Sequence, residues 1–330
     1  MRVLVTGGGG FLGKALVKKL YSQGHRVRIF CRGDYPELRK MGVEIHRGNL
    51  AEYKRVHRAV EDSELVYHVA AKAGVWGAYQ EYFATNVMGT QNVIEACLSH
   101  RVPYLVNTSS PSVIFDGSDQ EGNDESTPYP AKYLAYYPQT KAMAERMVTE
   151  ADCEDLKTVS LRPHLIWGPE DTQLIPRLVA QAKAGKLKLI GSGTKRIDAV
   201  YIDNAVQAHI LAAAKLMHGG RCHGRTYFVT NDDPWPFDQI LNGILDAAGV
   251  GPVTKHVPAN VAYILGAILE AAYWLMRKTE EPAMTRFVAR QLATSHWYDI
   301  TAAKKDLGYD PEVSMEEGLR RLGEWYKSRS

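Results

Sequence analysis

Apolar residues in the first half of the chain follow two alternating rhythms. Short β-branched runs at residues 2–6, 26–31, 43–46, 65–69, 104–107 and 158–161 predict strands. Between them, apolar positions three and four apart predict helices over 11–23, 53–60, 82–99 and 137–150, the first stopped by Gly24. Strands alternating with helices require right-handed crossovers. They predict an α/β fold with a Rossmann-type, doubly wound parallel sheet. Beyond Gly168-Pro169 the rhythm loosens into shorter strands and apolar helices, which predicts a small, mainly helical C-terminal substrate domain. The expected division is a dinucleotide-binding core over 1–168, rejoined by about 195–230, and a largely substrate-binding region over 169–330. Residues 116–131 carry five carboxylates and no lysine or arginine, and read as a solvated loop.

Composition narrows the class. The 330 residues are 45% apolar and 23% charged, which fits a folded globular chain. A net charge of +3 gives no reason to expect a nucleic-acid partner. Cys31, Cys97, Cys153 and Cys222 lie far apart without metal-ligand spacing, so they read as thiols in a reducing compartment, with no metal expected. The apolar run before the first glycines is too short for a signal-peptide core, and the expected location is cytoplasmic.

Chemistry enters at the first strand–helix junction, Thr6-Gly-Gly-Gly-Gly-Phe-Leu-Gly13. Gly7, Gly10 and Gly13 keep a G-x-x-G-x-x-G spacing between a hydrophobic strand and an amphipathic helix. Gly7 suits the tight turn, Gly10 the approach of a pyrophosphate, and Gly13 close helix–strand packing. With Phe11 and Leu12, these residues place free backbone N–H groups and the helix dipole where phosphates bind. The second strand ends Phe30-Cys31-Arg32, without the acid that would hold a ribose 2′-hydroxyl. Asp34 comes too late and lies next to a proline-containing stretch. A missing acid and an added guanidinium favour NADP over NAD.

Of 18 tyrosines only Tyr137 has a lysine four residues on, Lys141. The spacing alone would arise by chance. Its place on one face of the helix after the fifth strand is what points to catalysis. A free tyrosine titrates near ~10, so the hydroxyl needs a neighbouring ammonium and a nicotinamide cation to act as a base. Ser110, at the end of Asn107-Thr-Ser-Ser110, is the candidate to hold the substrate oxygen, with Ser112 as a second donor. No G-x-S-x-G elbow surrounds Ser110, which argues against a hydrolase.

These stretches, with His68-Val-Ala-Ala71, Asn86-Val-Met-Gly-Thr90 and Leu161-Arg-Pro-His164, resemble the extended short-chain dehydrogenase/reductase superfamily over nearly the whole chain. The likeness is strongest to its 3β-hydroxysteroid dehydrogenase-like group. Residues 108–115 and 162–164 are similar to sterol-4-alpha-carboxylate 3-dehydrogenases. Residues 70–77, 201–204 and 296–298 are similar to bacterial 2-alkyl-3-oxoalkanoate reductases. The resemblance implies Ser110 and Tyr137 as acid–base partners, Lys141 on the nicotinamide ribose, and Ala70 and Ala71 against the cofactor. It also implies cofactor contacts at Leu50, at Pro163 and at Asn49, which replaces an aspartate common in relatives. Nucleotide-sugar epimerases and dehydratases usually carry an arginine at Ile197 and an asparagine at Leu165. Without that clamp a diphosphate binds poorly, although Arg196 is one position away.

The implied substrate is therefore hydrophobic, a 3-oxo or 3-hydroxy carboxylic acid with Lys72 and His164 as candidates to hold the carboxylate. A sterol-type oxidation, a nucleotide-sugar epimerase or dehydratase, and an NADP(H)-sensing, non-enzymatic role are the competing readings. Residues 261–276 are almost wholly apolar apart from Glu270, yet short of the ~20 residues that span a bilayer. They read as a core helix, a pocket wall, a subunit interface or a peripheral membrane contact ahead of Arg277-Lys278. The expected partners are a hydrophobic small molecule, a second copy in a homodimer and, through this helix, a membrane surface.

Overall fold

The structure is a computed structural model in which residues 1–329 are described. Seven parallel strands form the main sheet in the spatial order Glu44–Arg47, Arg26–Cys31, Arg2–Thr6, Leu65–His68, Tyr104–Thr108, Lys157–Pro163, Arg225–Val229. The chain builds outward in one direction, then returns to the centre and builds the other half. The order reverses between Arg2–Thr6 and Leu65–His68, and a crevice opens there at the carboxyl edge of the sheet. Pairing Thr6 with His68, His68 with Asn107 and Thr108 with Leu161 brings the strand ends into line. The glycine loop, residues 69–77 and Ser110 therefore emerge along one edge.

Alternation along the strands sends side chains to two cores. Val3, Val5, Tyr67 and Val106 pack with residues of the helices Phe11–Ser22 and Ile202–Met217. Leu4, Val66 and Leu105 pack with residues of Tyr53–Val60, Gly89–Ser99 and Tyr136–Glu150. Burial on both faces explains why these strands read as continuous apolar runs.

Two expectations are corrected. The single helix over 82–99 is divided into Tyr79–Tyr82, a π-helical turn at Phe83–Met88 and Gly89–Ser99. Its wide turn carries Asn86 toward the helix Tyr136–Glu150, where its side-chain amide donates to Thr140 Oγ1 at 3.0 Å. The acidic segment is not simply a loop. Gln120–Asn123 is a strand paired with His296–Tyr298 in a second, four-stranded sheet that also holds Arg196–Ile197 and Trp235–Pro236. Two of its acids have specific partners: Asp119 pairs with Lys195, and Glu125 accepts the Phe228 N–H. Local composition could not reveal partners 76 and 103 positions away. The Tyr298 ring stacks on Phe228 at 4.4 Å, so the small sheet is seated against the edge strand of the large one.

Candidate active site

Thr108 ends the fifth strand, and Ser110 follows in extended conformation as the cap of a short 3-10 turn, Pro111–Ile114. Its hydroxyl lies 2.9 Å from that of Ser112 and accepts the Ser112 N–H at 3.3 Å. Tyr137 stands at the start of its helix, within hydrogen-bond reach of Ser110. One turn on, the buried Lys141 ammonium donates to the Thr108 carbonyl at 2.6 Å. Burial lowers its pKa to about 8, partly offset by Glu145 one turn further along. Burial raises the Tyr137 pKa, and the hydrogen bond from Ser110 only partly opposes it. Without the nicotinamide cation, desolvation of the phenol outweighs the Ser110 hydrogen bond.

Supporting contacts come from residues to which the sequence reading gave no role. His68 bridges Thr6 Oγ1 at 2.8 Å and Thr90 Oγ1 at 2.9 Å, and burial followed by the Lys141 charge keeps it neutral, near 3. Thr108 Oγ1 meets His209 Nε2 at 2.9 Å. Asn86 Oδ1 accepts the Lys72 N–H at 2.7 Å and its amide donates to the Lys72 carbonyl at 3.1 Å, fixing residues 70–72. The available signals were polar residues inside otherwise apolar runs, and Glu145 one turn after Lys141.

At the cofactor end, Gly7 has φ +69°, and a Cβ there would stand 2.8 Å from the Ala70 backbone. A Cβ on Gly13 would lie 2.2 Å from the Gly7 carbonyl, whereas Gly10 has room above it. The glycine loop thus closes on Ala70, while a Cβ at Gly10 would meet only the Gly7 carbonyl, at an ordinary 3.4 Å. No side chain caps the helix that starts at Phe11, and its first turn holds no acid. Free N–H groups at Phe11, Leu12 and Gly13 fit a pyrophosphate. The Leu12 and Leu50 side chains are buried, Leu50 beneath Gly89. Asn49 Oδ1 accepts the Ala51 N–H in a local turn. Asp34 caps the Tyr35 N–H and pairs with Arg39 at 2.7 Å. Arg32 is exposed, with no hydrogen bond or ion pair among the described residues.

Tyr137, Ser110 and Ser112 open onto a cavity of about 170 Å³ whose walls include Val75, Phe115, Leu165 and Phe287. Pro163, His164, Gln291, His296 and Tyr298 complete much of the remainder. Leu165 adopts φ +41°, a region asparagine tolerates better than leucine, and it presents an apolar wall there. Two candidates need correction. Lys72 does not line this cavity: its ammonium pairs with Glu81 at 2.9 Å and lies over the Tyr82 ring. His164 does line it, but not as a standing cation, because burial lowers its pKa to about 4. The Arg196 guanidinium caps the Pro234 carbonyl at 2.6 and 3.1 Å and is not a cavity residue.

Residues 4–257 match the model of the 3-beta hydroxysteroid dehydrogenase/isomerase family. The chain belongs to that family. It is 50% identical over 326 residues to the 2-alkyl-3-oxoalkanoate reductase of Shewanella oneidensis, covering 96% of this chain and 84% of that protein. It is 48% identical to the protein of the same name from Stenotrophomonas maltophilia, with 98% of each covered. The human sterol-4-alpha-carboxylate 3-dehydrogenase, decarboxylating, is 34% identical, over 97% of this chain and 87% of its own. Among solved structures, the UDP-glucose 4-epimerase of Thermotoga maritima superposes with a TM-score of 0.77 at 21% identity, over 100% and 99% of the two chains. The UDP-glucuronic acid 4-epimerase of Bacillus cereus gives 0.75 at 22%, with the same coverage. These two show the extended short-chain dehydrogenase fold alone. With the family established, the protein is an NAD(P)-dependent oxidoreductase of the dehydrogenase/ketoreductase type.

Proposed function

We propose that this enzyme uses NADP(H) to interconvert a ketone and a secondary alcohol on a hydrophobic 2-alkyl-3-oxo or 3-hydroxy carboxylic acid. The observation that carries the reading is the Tyr137–Ser110 pair at the end of a cavity walled by Val75, Phe115, Leu165 and Phe287. Such walls suit an alkyl-bearing substrate, and no lysine or arginine among them offers a diphosphate a clamp.

In the reductive direction Ser110 holds the carbonyl oxygen and Tyr137 delivers a proton to it. A phenol raised by burial is protonated at neutral pH, as a general acid must be. Lys141, with one N–H on Thr108, keeps donors for the nicotinamide ribose, and its charge supports the phenolate left behind. Gly7, Gly10, Phe11, Leu12 and Gly13 take the pyrophosphate, Arg32 the 2′-phosphate, and Asn49 and Leu50 the adenosine side. Ala70, Ala71 and Pro163 border the nicotinamide. The bound nicotinamide supplies or accepts the hydride. Residues 1–168, with 195–230, form the cofactor core, and 169–330 supply most of the substrate region.

The helix Ala259–Leu275 completes the proposal. It is not a core helix on its outer side, where Ile264, Ile268 and Leu275 are 57%, 60% and 77% exposed. Its one acid, Glu270, is turned inward onto Arg286 at 2.6 Å, which leaves the outer face apolar. Trp274, Arg277 and Lys278 end it as a membrane-surface helix ends. Among the described residues no helix is long and apolar enough to cross a membrane. Peripheral lipid contact is the assigned role, with a second copy of the chain as the competing occupant.

The test is an NADPH- and NADH-coupled screen of 2-alkyl-3-oxo acids, 3-hydroxysteroids with and without a 4-carboxylate, and UDP-sugars. Turnover of the hydrophobic oxo acids with NADPH is expected. Turnover of a UDP-sugar alone would overturn the proposal.

A further inference from the structure

The cavity contains two histidines whose hydrogen bonds fix their tautomers. His164 Nδ1 lies 2.8 Å from the Asp198 backbone carbonyl, an acceptor only, so Nδ1 carries the hydrogen and Nε2 is left as a lone pair. Thr294 donates its hydroxyl to the Arg290 carbonyl at 2.9 Å, so it must accept from His296 Nε2 at 2.8 Å. His296 Nδ1 is then also a lone pair. It is buried without a partner among the described residues, on a ring only 2% exposed that lines the cavity. A buried polar atom without a protein partner is usually completed by water, an ion or a ligand, and this one belongs to a ring in the cavity wall. One backbone unit positions both rings, since Asp198 accepts from His164 and donates its N–H to the His296 carbonyl at 3.1 Å. The two rings are 5.7 Å apart, centroid to centroid.

A carboxylate entering this cavity meets no resident cation. Two lone pairs repel it until a proton arrives. Resting on the substrate class proposed above, we infer that His164 and His296 hold the substrate's carboxylate and that one proton enters the site as it binds. The balance is one carboxylate, one proton and the free site giving one complex. The only bond made is N–H on an imidazole, or O–H on the carboxyl with an imidazole accepting it. Gln291, beside them in the wall and without a partner among the described residues, supplies an amide to the second oxygen.

The surroundings favour neutrality when the site is free. Phe115 packs edge-on against His296, and Tyr298 against His164. Asp119 and Lys195, the charged groups that act on His296, are paired with each other at 2.7 Å. Burial, and for His296 the neighbouring imidazole, hold the free pair near 4 and 3. A bound anion raises these values. When the anion lifts the pair's value above the working pH, a proton is taken up on binding, and binding weakens as pH rises from the free value toward that of the complex.

The experiment compares a 2-alkyl-3-oxo acid with its methyl ester, from pH 6 to 9, in the wild-type enzyme with NADPH. The acid's KM is expected to climb with pH, approaching tenfold per unit, relative to that of the ester. Calorimetry of the non-decarboxylating 3-hydroxy acid binding to the NADPH-loaded enzyme, in buffers of different ionisation enthalpy, should show close to one proton taken up. His296→Gln, and independently His164→Asn, should cut the preference for acid over ester at least tenfold and flatten its pH dependence. If acid and ester both turn over with a pH-independent KM ratio and no proton uptake, the histidine assignment is overturned while the reductase reading stands. Proton uptake and acid preference unchanged in both variants also overturn it. If neither compound turns over with either cofactor, the reductase reading falls and takes this one with it.

Discussion

Glu145 and Arg162 form a two-pronged ion pair in the interior, Oε1 to Nη2 at 2.6 Å and Oε2 to Nε at 2.9 Å, with Tyr129 donating to the same carboxylate at 2.6 Å. The pair fastens the helix that bears Tyr137 and Lys141 to the strand that leads into Pro163 and His164. Removing one partner leaves an uncompensated buried charge, which typically costs about 3–5 kcal/mol. Arg162→Leu should lose stability of that order in urea unfolding, and a loss within experimental error would show the pair to be dispensable. The Arg162 guanidinium helps depress the Glu145 pKa despite burial. Its stabilisation is therefore complete at neutral pH and is lost as pH falls through that depressed value.

Tyr137→Phe should lower kcat by about 10²–10⁴-fold while NADPH affinity stays near that of the wild type. Ser110→Ala should cost less, because Ser112 stands 2.9 Å away and can supply a hydroxyl. Steady-state rates and fluorescence titration of NADPH together decide this. Wild-type turnover by the phenylalanine variant would remove Tyr137 from the chemistry.

Burial pushes the Lys141 pKa down to about 8, with the ammonium present below that value. The Tyr137 phenol is raised above its usual range, so the first alkaline loss should belong to the lysine. In the reductive direction kcat/KM should decline above about pH 8, and Lys141→Met should abolish that limb along with much of the rate. Folding responds with the opposite sign. The unfolded lysine keeps its proton to about 10.4, so between about 8 and 10.4 the unfolded state binds more protons and stability gains with pH. A pH–rate profile that stays flat to pH 10 would contradict the assignment.

Arg32, without a partner among the described residues, should set the cofactor preference. NADPH is expected to bind at least tenfold tighter than NADH, about 1.4 kcal/mol, within the reach of one charge-assisted contact. Arg32→Ala should weaken NADPH and leave NADH nearly unchanged. Equal affinities of the wild type for both cofactors would refute the preference.

Ile268→Glu places a charge on the exposed apolar face of Ala259–Leu275. It should reduce co-flotation with anionic vesicles several-fold and damage use of long-chain substrates more than short ones. If neither protein floats, and the substitution instead converts a dimer to a monomer in sedimentation, the face belongs to a second copy.

The sequence by itself determined the sheet, its helices and the nature of the chemistry. These rest on local rules: β-branched runs make strands, three-and-four spacing makes helices, and a glycine cluster between the two makes a phosphate loop. Arg32 and the Tyr137–Lys141 spacing could be proposed for the same reason, since each lies within a turn or two of the feature that gives it meaning. The tertiary structure alone decided what depends on distant partners. Residues 116–131 gained a strand because His296–Tyr298 lies beside them, and Lys72 was drawn to Glu81 across a bend. Charge states followed the same logic. Burial is the sum of every element packed around a group, so it lowered the pKa of His164, a candidate cation in the sequence, and raised that of the Tyr137 phenol. His296 took its place because the last small strand folds back against the cavity, a placement no local pattern encodes.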